Sequence, residues 1–347
     1  MRTKTTISPS PPLTIGLLAL ALVAIALVAT ALGPQGTIHP WVIVKSLALK
    51  AGLMEGPMSA ESIIVWNLRL PRVLGAVLVG GSLAVSGALI QTLFRNPLAE
   101  PFLIGISSGS AFGAVISVAL GYSLTGWSGN ATTLSAFCGG VGVSIIVYNL
   151  SRRGRRIAMT TLLLTGIAIG GVLQSITTFL LLNYELQQIR SLMGWMMGSL
   201  AFFGWEQVAL LAPYTLAGVS AAWFYHRQLN LLAMGHHTAQ HLGLSLERTR
   251  LLLLVIATLL ASATVALCGI IAFVGLMVPH IVRMLVGANH KQLIPASICA
   301  GGILLILADI TARTARSGQE IPIGIITSIL GGIFFVMLIR MRSPWVR

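Results

Sequence analysis

Charge is what this sequence has least of. Only 9% of its 347 residues are Asp, Glu, Lys or Arg, and just 8 are acidic, where soluble domains carry about 25% charged residues. So few charges leave nothing to cover a water-facing surface, which excludes a soluble globular domain. Period-two alternation is missing as well: the apolar runs are continuous, which excludes an outer-membrane β-barrel. The three cysteines, Cys138, Cys268 and Cys299, all lie inside apolar runs, so neither a disulfide framework nor a metal cluster is expected. There is no GxxxxGK[ST], so the chain carries no loop to cradle phosphates and is not expected to hydrolyse ATP. HExxH and paired carboxylates within the apolar runs are absent too, leaving an intramembrane enzyme poorly supported. A carrier of bare metal ions needs oxygen or nitrogen ligands along its path. Here Asp309 is the one carboxylate placed inside an apolar run, so a metal crossing this chain would cross already wrapped in a chelate.

What is present is apolar sequence, 56% of the chain. This is the signature of an all-α polytopic membrane protein, since only helices satisfy every backbone polar group within a single crossing segment. Residues 13–33 form the first span. Ala29-Thr30-Ala31 resembles a signal cleavage site, but the apolar run is longer than a signal peptide's. A mixed loop at 36–64 follows, and Arg69-Leu70-Pro71-Arg72 leads into a second span at 73–94, ended by Arg95-Asn96-Pro97. Residues 101–151 carry no charge and hold two spans around a polar break at 121–130; a fifth span is read at 157–184. Residues 191–203, interrupted by Gly194 and Gly198, are too short to cross and read as an interfacial or re-entrant helix. A sixth span runs over 208–225. The uncharged stretch 251–282 is too long for one span and short for two, and Gly269, Gly275 and Pro279 suggest helices broken within the membrane. Spans at 293–312 and 321–339 complete ten crossings, with both termini on one side.

The net charge of +14 would suit a nucleic-acid partner, but the basic residues cluster at the ends of apolar runs, as membrane topology requires. Arg2, Lys4, Arg95, the arginines at 152–156, Arg227, Arg248, Arg250, Arg283, Lys291, Arg340, Arg342 and Arg347 all fall on the side of the termini, with only Glu100 and Glu247 opposing them. The positive-inside rule makes that side cytoplasmic. It also holds the one long hydrophilic interior passage, 227–250. There Leu229, Leu232 and Ala233 share one helical face, Ala239 and Leu242 share another, and Gly235 and Gly243 punctuate the two pieces. Two short helices with apolar sides displayed to water await a partner.

Long motifs then become recognisable. RLPR at 69–72, SGALIQTLFRNPLAEPFLIGISSGSAFGA at 86–114, GxxxAxxLG at 235–243, FVGLMVPHIVRMLVG at 273–287, and ADITAR followed by EIPIGIIT at 308–327 resemble the permeases of iron-siderophore, haem and vitamin B12 importers. The resemblance covers nearly the whole chain beyond the first span. It implies a single permease domain over 1–347 with the fold of a type II ATP-binding-cassette importer. The implied partners are a second permease copy, two cytoplasmic ATPase subunits that bind ATP and Mg, and a periplasmic or lipid-anchored binding protein. The implied location is the bacterial inner membrane, and no cofactor or metal is expected in this chain.

The resemblance also assigns roles. Gly235, Ala239, Leu242 and Gly243 match docking helices gripped by the ATPase, though a mere connector would look similar. Arg69, Arg72 and Arg313 match positions that receive acidic residues of the binding protein; internal pairing is the alternative, because Asp309 and Arg313 stand at i, i+4. Asn96, Pro97 and Glu100 resemble the family's hairpin on the inner side, and Asn96, Pro97, Gly269, Gly275, Pro279 and Asp309 are candidate structural or gating positions. His236, His237 and His241 read as solvated docking-helix residues rather than metal ligands. Trp195, Met196 and Met197 read as an outer-edge belt rather than a haem contact. The reading from another class is a proton-coupled secondary carrier working alone, with Asp309 as its relay.

Overall fold

The computed structural model describes residues 10–33, 36–121, 127–154, 156–315 and 320–340. Arg2, Lys4, Arg155, Arg342, Arg347 and part of the polar break at 121–130 lie outside them. The α-helices in chain order are α1 (Pro11–Ala31), α2 (Pro40–Lys50), α3 (Ala60–Ile64), α4 (Leu70–Phe94), α5 (Ile106–Ala119), α6 (Trp127–Ser151), α7 (Met159–Leu181), α8 (Leu186–Met196), α9 (Trp205–Phe224), α10 (His226–Met234), α11 (His236–His241), α12 (Leu246–Cys268), α13 (Val274–Val286), α14 (His290–Thr314) and α15 (Ile323–Arg340). A two-residue antiparallel pairing, Arg152–Arg153 with Arg156–Ile157, joins α6 to α7.

Among the described residues, eight helical stretches are long and apolar enough to cross a membrane: α1, the continuous 60–94 helix, α6, α7, α9, α12, α14 and α15. The other two expected crossings, α5 and α13, have only 14 and 13 residues. At 1.5 Å per residue each is about 20 Å long, two thirds of a ~30 Å hydrocarbon layer. Irregular backbone completes both: residues 95–105, with a 3-10 turn at Pro101–Ile104, lead into α5, and 269–273 lead into α13. We call the face where α1 begins and where 226–250 lies the near face, and the opposite one the far face.

The buried helix α4 is the axis. It packs against α9, α12, α13 and α14, and most of its residues are buried. Glycines let its neighbours in: a Cβ on Gly80 would land on the Gly301 carbonyl of α14, and one on Gly87 would land on the Gly275 carbonyl of α13. Two apolar clusters surround this axis. One, around Leu83, Val274 and Leu305, gathers α13 and α14. The other, around Leu89, Leu253 and Leu229, reaches α12 and α10.

Several local expectations change. The 36–64 loop contains α2, which begins at Pro40 where the His39 ring accepts the Trp41 N–H at 3.2 Å, and α3, capped by Ser59. The second span therefore starts well before residue 73, and Arg69 and Arg72 lie inside it, with Val65–Arg69 wound as a π turn. The short helix expected at 191–203 is α8, which stops at Met196 ahead of Gly198 (φ +71°). The break in 251–282 falls at 269–273 and not at Pro279, which α13 accommodates in its second turn.

Candidate functional site

On the far face, Arg69, Arg72 and Arg313 come together, as the motifs suggested, but as buried groups with partners. Arg72 spans two carboxylates: its Nε donates to Asp309 at 3.0 Å, and its two terminal nitrogens form a fork with Glu320 at 2.9 and 2.8 Å. Arg313 pairs with the other Asp309 oxygen at 3.0 Å and donates to the carbonyls of Leu32 and Ala29. Arg69 donates to the carbonyls of Thr30, Ala31 and Gly36 where α1 ends. Arg72 and Arg313 thus share Asp309 and Glu320, while Glu61 acts on Arg69 through its charge. Breaking a buried pair by removing one partner costs about 3–5 kcal/mol, so this network ties α1, α4, α14 and the start of α15 together. All three arginines and Glu320 line a cavity of about 390 Å³. A second cavity of about 800 Å³, lined by Trp195, Glu206 and Cys268 among others, shares Phe202, Phe203 and Glu320 with the first. Asp309 is 1% exposed and held between two arginines. Glu320, whose side chain keeps 34% exposure, is a member that the sequence reading did not single out.

Inside the molecule, the broken segment brings the gating candidates together. Gly269 (φ +74°) turns the chain against α8, where any Cβ would strike the Trp195 carbonyl. Phe273, also left-handed at φ +67°, begins α13, and its N–H is accepted by Glu100 Oε1 at 2.5 Å. Phe273 packs on Gly331, halfway along α15. Glu100 therefore reaches the middle of the structure rather than the cytoplasmic rim to which the charge count had assigned it. Asn96 and Pro97 form the turn that sends the chain there: Asn96 Oδ1 accepts the Leu98 N–H at 2.9 Å, after Arg95 leaves α4 in a left-handed conformation. Pro279 has no N–H to offer the Gly275 carbonyl four residues back. Gln91 of α4 fills that place, its Nε2 donating to Gly275 O and Leu276 O at 3.2 and 3.0 Å. Its Oε1 accepts from Arg283. Gln91 was also missed; the sequence signal was the orphan carbonyl that a mid-helix proline must leave.

On the near face, Gly235, Ala239, Leu242 and Gly243 share one segment but differ in exposure. Gly235 adopts φ +121°, ψ +153°, a conformation open in practice only to glycine, and the Arg95 guanidinium lies close to it. Ala239 is fully buried, Leu242 is 59% exposed, and Gly243 faces open space at φ +83°. One expectation is corrected. The Leu229 and Leu232 side of α10 is not displayed to water; it packs into the core beside α4, because an amphipathic helix buries its apolar stripe on whatever apolar surface adjoins it. What stays outside is Ala233, Met234, His237, Thr238, Gln240, His241, Leu242 and Gly243.

A family model described as the FecCD transport family matches residues 15–341. A cobalamin import system permease protein of Halobacterium salinarum is 36% identical over 349 residues, covering 97% of this chain and 92% of that protein. A hemin transport system permease protein of Yersinia pestis is 41% identical over 281 residues, covering 79% of this chain and 83% of the other. Among solved structures, one described as an inward-facing conformation of a metal-chelate type ABC transporter shares 30% identity at a TM-score of 0.83, covering 95% of this chain and 99% of that one. A chain of PsaBC from Streptococcus pneumoniae, at 18% identity and a TM-score of 0.56, shares the fold. With the family model spanning nearly the whole described molecule, this chain belongs to the FecCD transport family.

Proposed function

We propose that the chain is the permease subunit of an ATP-binding-cassette importer that carries an iron chelate, haem or cobalamin from a binding protein into the cytoplasm. The observation that carries this is the near-face segment. It is fastened to α4 and α14 on one side and exposes Met234, His237, Thr238, Leu242 and Gly243 on the other. A separate ATPase gripping that surface supplies the work. The relatives, whose names specify cobalamin and hemin import, support the cargo class. The near face is cytoplasmic because Arg95, Arg227, Arg248, Lys291 and Arg340 gather there, and the membrane is the bacterial inner membrane. Two copies pair to enclose a route wide enough for such cargo.

On the far face, the binding protein presents a carboxylate to the cavity that Arg69, Arg72 and Arg313 line. Glu320 competes for the same fork. A proton-coupled carrier acting alone would use Asp309 as its relay, but that carboxylate is committed to Arg72 and Arg313.

The test is co-purification with the cognate ATPase. Gly235→Trp should leave the chain inserted and abolish the complex; an undiminished complex overturns the docking reading. At low salt, Glu320→Gln should bind the loaded binding protein more tightly than the parent. Equal or weaker binding would remove the arginine cavity from the docking surface.

A further inference from the structure

Burial of α10 leaves open how a push on the near-face segment would reach the half-helix α13, with which α10 shares no hydrogen bond among those of the described residues. The polar side chains at the near end of α4 supply a route. Asn230 of α10 donates from Nδ2 to Asn289 Oδ1 at 3.0 Å, and its Oδ1 accepts from both the backbone N–H and the Nδ1 of His290, at 2.9 and 2.8 Å. An amide oxygen only accepts, so Nδ1 carries the imidazole proton. In the neutral ring Nε2 is then the acceptor, and the donor facing it at 2.8 Å is the Thr92 hydroxyl of α4, whose single proton is shared with the Ala88 carbonyl at the same distance. His290 is 2% exposed, so water does not compete for these bonds. The neighbour of Thr92 on the same helical turn is Gln91, which holds the Gly275 and Leu276 carbonyls of α13.

We propose that Asn230, His290, Thr92 and Gln91 form the link through which movement of the docking segment displaces the half-helix α13. Asn230, His290 and Thr92 are joined through side-chain hydrogen bonds, Gln91 holds α13 by its backbone carbonyls, and Thr92 and Gln91 move as one because α4 is a continuous helix. Push and pull are both transmitted, whereas the apolar contact of Leu229 and Leu232 with the core passes on a push alone. These four are proposed as positioning residues. The inference rests on the reading that the ATPase grips 226–250.

The experiment uses the complete transporter, permease with its ATPase and loaded binding protein, in proteoliposomes, and reads cargo moved per ATP hydrolysed. Thr92→Val keeps the side-chain shape and removes the hydroxyl; Thr92→Ser keeps the hydroxyl. Thr92→Val should lower the coupling ratio about three- to tenfold, the range expected for one lost buried hydrogen bond, with ATPase co-purification unchanged. Thr92→Ser should restore it. Asn230→Ala, at a half-buried position where folding is less at stake, should lower the ratio likewise, and the double variant with Thr92→Val should be no worse than either single one. A parental ratio in Thr92→Val, a serine variant as impaired as the valine one, or additive losses in the double variant would each overturn the link while leaving ATPase docking standing. An ATPase complex unaffected by Gly235→Trp would instead overturn the docking reading, and the link with it.

Discussion

Four prolines, Pro71, Pro213, Pro279 and Pro295, stand where helices would ordinarily refuse them, and three of them leave a carbonyl that another helix claims. Pro279 frees Gly275 O for Gln91. Pro295 frees Lys291 O, which accepts from Trp223 Nε1 at 3.3 Å. Pro71, following the π turn, frees Trp66 O, which accepts from Trp205 Nε1 at 2.8 Å. At these three prolines a neighbouring helix donates to the carbonyl that the missing N–H leaves free. The sequence shows every proline but none of the donors, because Gln91 and Gly275 lie far apart along the chain and meet only when α4 and α13 pack. A double-mutant cycle checks the pairing. Gln91→Ala should cost about 1–3 kcal/mol of stability, as an acceptor left unsatisfied in a buried site does. In a Pro279→Ala background, which returns an N–H to Gly275 O, the same change should cost visibly less in thermal unfolding. Equal costs in the two backgrounds would mean that the carbonyl needs no donor.

The buried charges obey the same accounting. The i, i+4 spacing of Asp309 and Arg313 made their pairing legible in advance. Arg72 was not legible as their third member, since nothing along 69–72 reports the distance to 309 or 320. Arg72→Met should lower stability by about 3–5 kcal/mol, because Asp309 keeps only one partner and Glu320 loses its own. Combining it with Glu320→Gln should recover part of the loss, as one unpaired carboxylate is removed. Thermal denaturation in detergent reads both. No recovery in the pair would place the cost in lost packing around the guanidinium instead.

At the scale of elements, long apolar runs announced themselves and short ones misled. The runs that became α1, α7, α9, α14 and α15 were read close to their true extents because length and hydropathy alone decide them. The 60–94 helix was cut short because charged Arg69 and Arg72 look like a boundary, and only their buried partners make them tolerable inside a helix. Segment 251–282 was rightly seen as broken, yet its break was shared among Gly269, Gly275 and Pro279, when each does something different. Gly269 turns the chain, Gly275 admits α4, and Pro279 frees a carbonyl. This division makes a graded prediction. Gly269→Ala places a methyl on the Trp195 carbonyl at a left-handed position and should abolish stable expression. Gly243→Ala meets open space and should cost only the ~1 kcal/mol of a left-handed alanine. Detergent-solubilised yield and melting temperature separate the two; similar behaviour would mean that crowding at Gly269 is relieved by movement of α8.

For the whole molecule, contacts decide whether the two half-helices count as crossings. The guanidinium of Arg95, at the near end of α4, lies beside Gly235, so the chain must return to the same face between 95 and 235. Helices α6, α7 and α9 make three passages, an odd number, so α5 with its irregular lead-in has to supply a fourth. Thr92 likewise meets His290, and between the near-face segment and His290 stand only α12 and α13. One passage by α12 would strand His290 on the far face, so α13 and the extended 269–273 must complete the return. The ten crossings expected from the sequence therefore follow from two polar meetings, although eight helices alone have the length. A reporter active only in the cytoplasm should be silent when fused after Phe203 and active when fused after Gln240, and one active only outside should show the reverse. Were α5 no crossing, both pairs of signals would invert. The 226–250 segment would then lie outside, while Arg69 and Arg72, which precede α5, would keep their side.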